Sequence, residues 1–123
     1  MKEELDQQLA AARWVLADHW ASCLEFQLEG HSEHAHRAVD QLIYQYFEAL
    51  KSLPEPGRPD DIMDALKRLF EGLAELNAQS DDALLETDER EVIVPIVIAA
   101  AKTAGLPVED YEDGDPTFAF RMF

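Results

Sequence analysis

The sequence is short of several things, and each shortage removes a class of protein. It has one cysteine, Cys23, so no disulfide can form within the chain, which argues against a small secreted scaffold and suits a reducing compartment. Lysine and arginine are scarce, 10 against 26 aspartates and glutamates, and the formal charge is −16. Such a chain repels phosphate backbones and anionic headgroups, so neither nucleic acid nor a membrane surface is the expected partner, and a basic protein is. The five glycines, at 30, 57, 72, 105 and 114, are too dispersed for a phosphate-cradling loop. No apolar run exceeds the ten residues 92–101, which Pro95 interrupts, whereas a helix needs roughly 20 to span a bilayer. The opening Met-Lys-Glu-Glu-Leu-Asp-Gln-Gln carries acids where a signal peptide has a basic start and an apolar run, so the expected location is the cytoplasm.

What is present is enough apolar material, 47% of 123 residues, to fill one core, and a single domain over residues 1–123 is expected. Over residues 3–28, Leu5, Leu9, Ala12, Leu16, His19/Trp20, Cys23 and Phe26 recur at spacings of three and four, which predicts an amphipathic helix stopped by Gly30. Ser32 reads as the N-cap of a second helix with the stripe Ala35, Val39, Leu42/Ile43, Tyr46/Phe47, Leu50 and Leu53. Three prolines and a glycine within residues 53–59 make a connector. Asp60 and Asp61 then favour the start of a third helix, whose stripe is Ile62, Leu66, Leu69/Phe70, Leu73 and Leu76 and whose end falls near Asn77.

The fourth segment, residues 88–104 behind a cap at Thr87, reads two ways. Val92, Ile93, Val94, Ile96, Val97 and Ile98 favour a strand, whereas the acidic start, the alanine run at 99–101 and the Gly105-Leu106-Pro107 ending favour a helix kinked at Pro95. The kinked, largely buried helix is the preferred reading. The alternating apolar residues of 117–123 suggest an extended tail packed on the bundle or on a second copy. The fold expected is all-α, a bundle of about four helices with an extended C-terminal tail.

Two groups of residues suggest chemistry. His19 and Cys23, four apart on one helix, share a face and could supply two corners of a tetrahedral metal site, with His31 and His34 supplying the others; no C-x-x-C pair or H-E-x-x-H pattern accompanies them, and a histidine and cysteine on a core stripe are more readily explained by packing. Glu33 and His36 give one Glu-x-x-His pair, whereas a di-iron centre needs two, so a solvated helix start is expected there. Cys23 activated by His19 would be a nucleophile only if its thiolate formed, and its apolar, acidic surroundings oppose that. The acidic loop 109–115 fails as a calcium loop, because aligning Gly114 with the required glycine puts Tyr111 and Phe120 at ligand positions.

The second group is the acid-rich stretch 80–115, with eleven acids against Arg90 and Lys102, a local balance of −9. Such a face can steer onto a basic surface while aromatic residues anchor it. The contact residues expected are Asp81, Asp82, Glu86, Asp88, Glu89, Tyr111, Glu112 and Asp113. Leu76-Asn77, followed by Leu85-Glu86-Thr87-Asp88-Glu89-Arg90-Glu91, resembles a group of small, acidic, uncharacterised bacterial helical proteins over about the C-terminal half. That resemblance implies a helical fold and no catalytic residue. By analogy of size and charge the chain also looks like the immunity proteins that neutralise bacterial toxins, although it carries no diagnostic immunity motif. The function expected is therefore non-enzymatic and cofactor-free binding of a basic protein such as a nuclease toxin. The alternatives are a metal-binding bundle and a structural homodimer joined through the fourth helix and the tail.

Overall fold

The computed structural model describes residues 1–120, and the regular structure within them is all helical: α1 (Lys2–Glu25), α2 (Glu33–Lys51), α3 (Pro59–Gln79) and α4 (Thr87–Ala104), followed by single 3-10 turns at Val108–Asp110, Glu112–Gly114 and Phe118–Phe120. The helices run alternately up and down. Near one end the Met1 amine pairs with Glu55 at 3.2 Å, Lys51 with Asp6 at 2.7 Å, and the Gln8 amide donates to Thr103 at 2.9 Å. At the other, His19 meets Glu89 and the Trp20 indole donates to Asp40 at 2.9 Å. The first end thus gathers the starts of α1 and α3 and the finishes of α2 and α4; the second, called the upper end below, gathers the finishes of α1 and α3 and the starts of α2 and α4.

The predicted stripes face inward and merge into one core, in which Phe47, Phe70, Leu5, Leu16, Ile43, Leu50, Ile62, Leu66, Leu73 and Ile93 are fully buried. Leu84, Leu85 and Leu106, from the connections, close it at both ends. Phe26, expected on the α1 stripe, is 70% exposed because the helix stops one residue before it. α2 and α4 touch across the bundle, so the strand-like segment of α4 packs in its middle. Helix wins over strand there because Ile93, Val94 and Val97 gain burial on a helical face, and that outweighs the small intrinsic penalty of β-branched residues. Pro95 lies on the solvent side, where the backbone carbonyl it leaves unpartnered can be hydrated.

Helix ends depart from the sequence reading in an instructive way. α1 is closed by Gln27 in the left-handed region (φ 53°), with Gln27 N–H donating to Leu24 and Leu28 N–H to Cys23, and not by Gly30. Gly30 (φ 82°) serves the next turn, and a Cβ there would come within 2.7 Å of Ala83. α3 runs two residues past Asn77 and closes on Asp81 (φ 55°), with Asp82 N–H donating to the Asn77 carbonyl at 2.8 Å. The buried Asn77 side chain accepts from Leu85 N–H at 2.8 Å, which ties the end of α3 to the approach of α4. The cap of α4 is Glu86, not Thr87, because Glu89 in the first turn reaches back to accept from Glu86 N–H at 3.0 Å. Ser32 caps α2 as expected, accepting from Ala35 N–H at 3.1 Å. The tail follows the bundle, but residues 118–120 form a 3-10 turn where alternation suggested extended backbone; the remainder of the expected tail, 121–123, lies outside the described residues.

Candidate functional site

The upper end concentrates the ionisable and aromatic side chains that the core does not need. His19 and Cys23 leave the same face of α1, one turn apart, and Glu89 of α4 faces them. A ring nitrogen of His19, the Cys23 Sγ and a Glu89 carboxylate oxygen all lie within 4.8 Å of one another, the one such convergence of three donors among the described residues. His19 Nε2 and Glu89 Oε2 are 2.7 Å apart. Because Oε1 of the same carboxylate is held by Glu86 N–H, the carboxylate is fixed from both sides.

Beside this group lies a second one. The ring of His36 stacks on Trp20 with centroids 4.1 Å apart and planes 13° from parallel, and its Nε2 is 2.8 Å from Nδ1 of His31. Nδ1 of His36 is buried with no hydrogen-bond partner. An unpaired acceptor is tolerated better than an unpaired N–H, which favours the tautomer in which His36 Nε2–H donates to His31. The Trp20 indole is in turn held by Asp40, a half-buried carboxyl whose pKa burial raises.

These environments set the chemistry. Burial, and then the negative charges of Glu89 and Asp88, push the Cys23 thiol up, so it stays protonated at neutral pH and is no nucleophile. Burial, and then the imidazoles of His31 and His19, hold His36 down at about 4, so it is neutral under ordinary conditions.

The residues expected from the sequence are divided by this geometry. His19 and Cys23 do come together, but their third neighbour is Glu89; His31 faces His36 instead, and His34 is exposed on the first turn of α2. Glu33 and His36 do not converge: Glu33 is exposed, 3.7 Å from Arg37, while His36 is 3% exposed, which corrects the expectation of a solvated helix start. Of the acidic contact set, Asp81, Asp82, Glu86 and Asp88 are exposed together at the upper end. Glu89 is 4% exposed and turned inward, so it is not part of an exposed face. Tyr111, Glu112 and Asp113 follow the far end of α4, whose 18 residues span about 27 Å, and they do not share a face with the others.

Glu89 and His36 carried a usable signal. Extending the buried α4 spacing of 93, 97, 100/101 and 104 back by four lands on Glu89, and extending the α2 stripe of 39, 43, 46/47 and 50 back by three lands on His36.

An open groove of about 440 Å³ runs beside the cluster, lined by Leu28, Glu29, His31, Ala83, Glu86, Thr87, Asp88 and Glu89. Phe26 is exposed close by in sequence, and Leu28 is 47% exposed. Among the described residues, no helix is long and apolar enough to cross a membrane. No family model matches the chain, and neither a curated protein nor a solved structure shows significant similarity to it.

Proposed function

We propose that the chain is a non-enzymatic binding module whose upper end docks onto a basic surface of a protein partner, in the manner of an immunity protein on a basic nuclease. The observation that carries this reading is the groove in which Leu28 sits among Glu29, Glu86 and Asp88, with Asp81 and Asp82 exposed on the adjoining turn. An apolar residue ringed by acids is the surface that a basic side chain with a long aliphatic stem can cover, its methylenes on Leu28 and its charge among the carboxylates. Phe26 supplies the aromatic anchor that such interfaces favour. The net charge of −16 steers a cationic partner toward the molecule from beyond contact range.

The test is calorimetric titration of the protein against a panel of purified basic nuclease domains. The quadruple variant Asp81→Asn/Asp82→Asn/Glu86→Gln/Asp88→Asn should bind at least about tenfold more weakly than wild type, and raising the salt should weaken the wild type similarly. Glu112→Gln/Asp113→Asn, at the other end, should bind like wild type. Binding indifferent to salt, or lost equally in both variants, would overturn the reading.

A further inference from the structure

Glu89 presents a problem that the acidic face does not answer. It is a carboxylate at the start of α4 with almost no contact with water, and a buried charge is costly unless it is compensated. Its Oε2 is aimed at His19 at 2.7 Å, and the sulfur of Cys23 completes a triangle whose members differ in kind: one imidazole nitrogen, one sulfur, one oxygen. We infer that His19, Cys23 and Glu89 bind one zinc-class divalent ion, with water from the neighbouring groove as the fourth ligand.

The dimensions suit such an ion. Zinc bonds of about 2.0–2.3 Å in a tetrahedron place neighbouring donor atoms about 3.3–3.6 Å apart. The three donors here lie within 4.8 Å, so closure needs movements of about 1 Å, within reach of side-chain torsions. The 2.7 Å contact between His19 and Glu89 is a hydrogen-bond length; loading the ion would release to solvent both the proton shared by that pair and the proton of the Cys23 thiol, so uptake strengthens as pH rises, and would open the pair by somewhat over half an ångström.

Donor chemistry narrows the choice of ion. Calcium and magnesium call for oxygen-only cages, and cuprous ion for sulfur, whereas zinc accepts nitrogen, sulfur and oxygen together. The donors are also oriented in advance: the Glu86 N–H holds the second oxygen of Glu89, and the Trp20 ring packs edge-on against His19 with centroids 5.4 Å apart. Access is provided where Glu89 itself lines the groove. Three protein ligands and one exchangeable position make a site open to an exogenous ligand. Ion binding at this site requires no partner on the acidic face.

Cobalt(II) reads the site directly, because Cys23 is the only cysteine and a thiolate bound to cobalt gives a charge-transfer band in the near ultraviolet. Protein stripped with a chelator should bind one equivalent of cobalt with that band and with the strong visible absorption of a four-coordinate ion, and one equivalent of zinc should abolish both. Cys23→Ser should lose the band. His19→Gln and Glu89→Gln should each weaken zinc binding at least about tenfold, as measured by competition with a chromophoric chelator, while Glu112→Gln/Asp113→Asn leaves it unchanged. The wild-type band requires no variant to fold, and circular dichroism checks the variants. A wild-type protein that takes up cobalt without the charge-transfer band, or zinc binding indifferent to both His19→Gln and Glu89→Gln, would overturn the inference and assign the ion to surface carboxylates.

Discussion

At the scale of single residues, burial changes the charge of His36 within the pH range where histidines ordinarily titrate. An ordinary histidine takes up a proton near pH 6.5, and this one is held down to about 4 by burial and by the imidazoles of His31 and His19, against the opposing pull of Glu89. Below pH 6.5 the unfolded chain therefore binds a proton that the folded chain refuses, until about pH 4. Its effect on stability is absent above pH 6.5 and becomes destabilising as the pH falls toward 4, by at most about 3 kcal/mol. In His36→Gln this penalty should vanish. The urea midpoint of the variant, followed from pH 7 to 4.5, should fall less steeply than that of wild type, and parallel curves would contradict the account.

At the scale of elements, the ends of the helices are set by hydrogen bonding more than by residue type. α1 and α3 close on non-glycine residues in the left-handed region, Gln27 and Asp81, because the paired hydrogen bonds to Leu24 and Cys23, and to Ala78 and Asn77, satisfy carbonyls that would otherwise be orphaned. A side chain in that region costs about 1–2 kcal/mol, while glycine loses about 0.5–1 kcal/mol of chain entropy on folding. The Gln27 side chain is exposed, so Gln27→Gly should stabilise the protein by roughly 0.5–1 kcal/mol, seen as a rise of a few degrees in Tm. A fall in Tm would show that Gln27 makes contacts beyond its backbone. α4 gives the complementary lesson, since its β-branched residues and Pro95 argue locally for a strand and the core converts them to a helix.

At the scale of the whole molecule, a charge of −16 on 123 residues makes the folded state self-repelling. Screening should relieve it: raising sodium chloride from about 10 mM to about 150 mM, which shortens the Debye length from about 30 Å to about 8 Å, should raise Tm by a few degrees. A Tm unmoved by salt would mean that the carboxylates are already compensated, and a bound cation would be the first explanation to pursue. The same scale separates what the amino-acid order determined from what only the assembled structure decided. Four helical segments, their inward stripes, the proline connector and the Ser32 cap follow from periodicity and turn chemistry, because a helix repeats every 3.6 residues and its neighbours in sequence are its neighbours in space. The pairing of His19 and Cys23 is of this kind. Glu89 beside them is not: it stands 70 residues from His19, and only the antiparallel placement of α1 against α4 brings the two within 2.7 Å. The length of α4 sets Tyr111, Glu112 and Asp113, which follow its far end, apart from the acids at its start and divides a charge run that is continuous along the chain. Local geometry is written into consecutive residues, whereas a site built across helices is settled by how their apolar faces pack, and that packing is a property of the whole core.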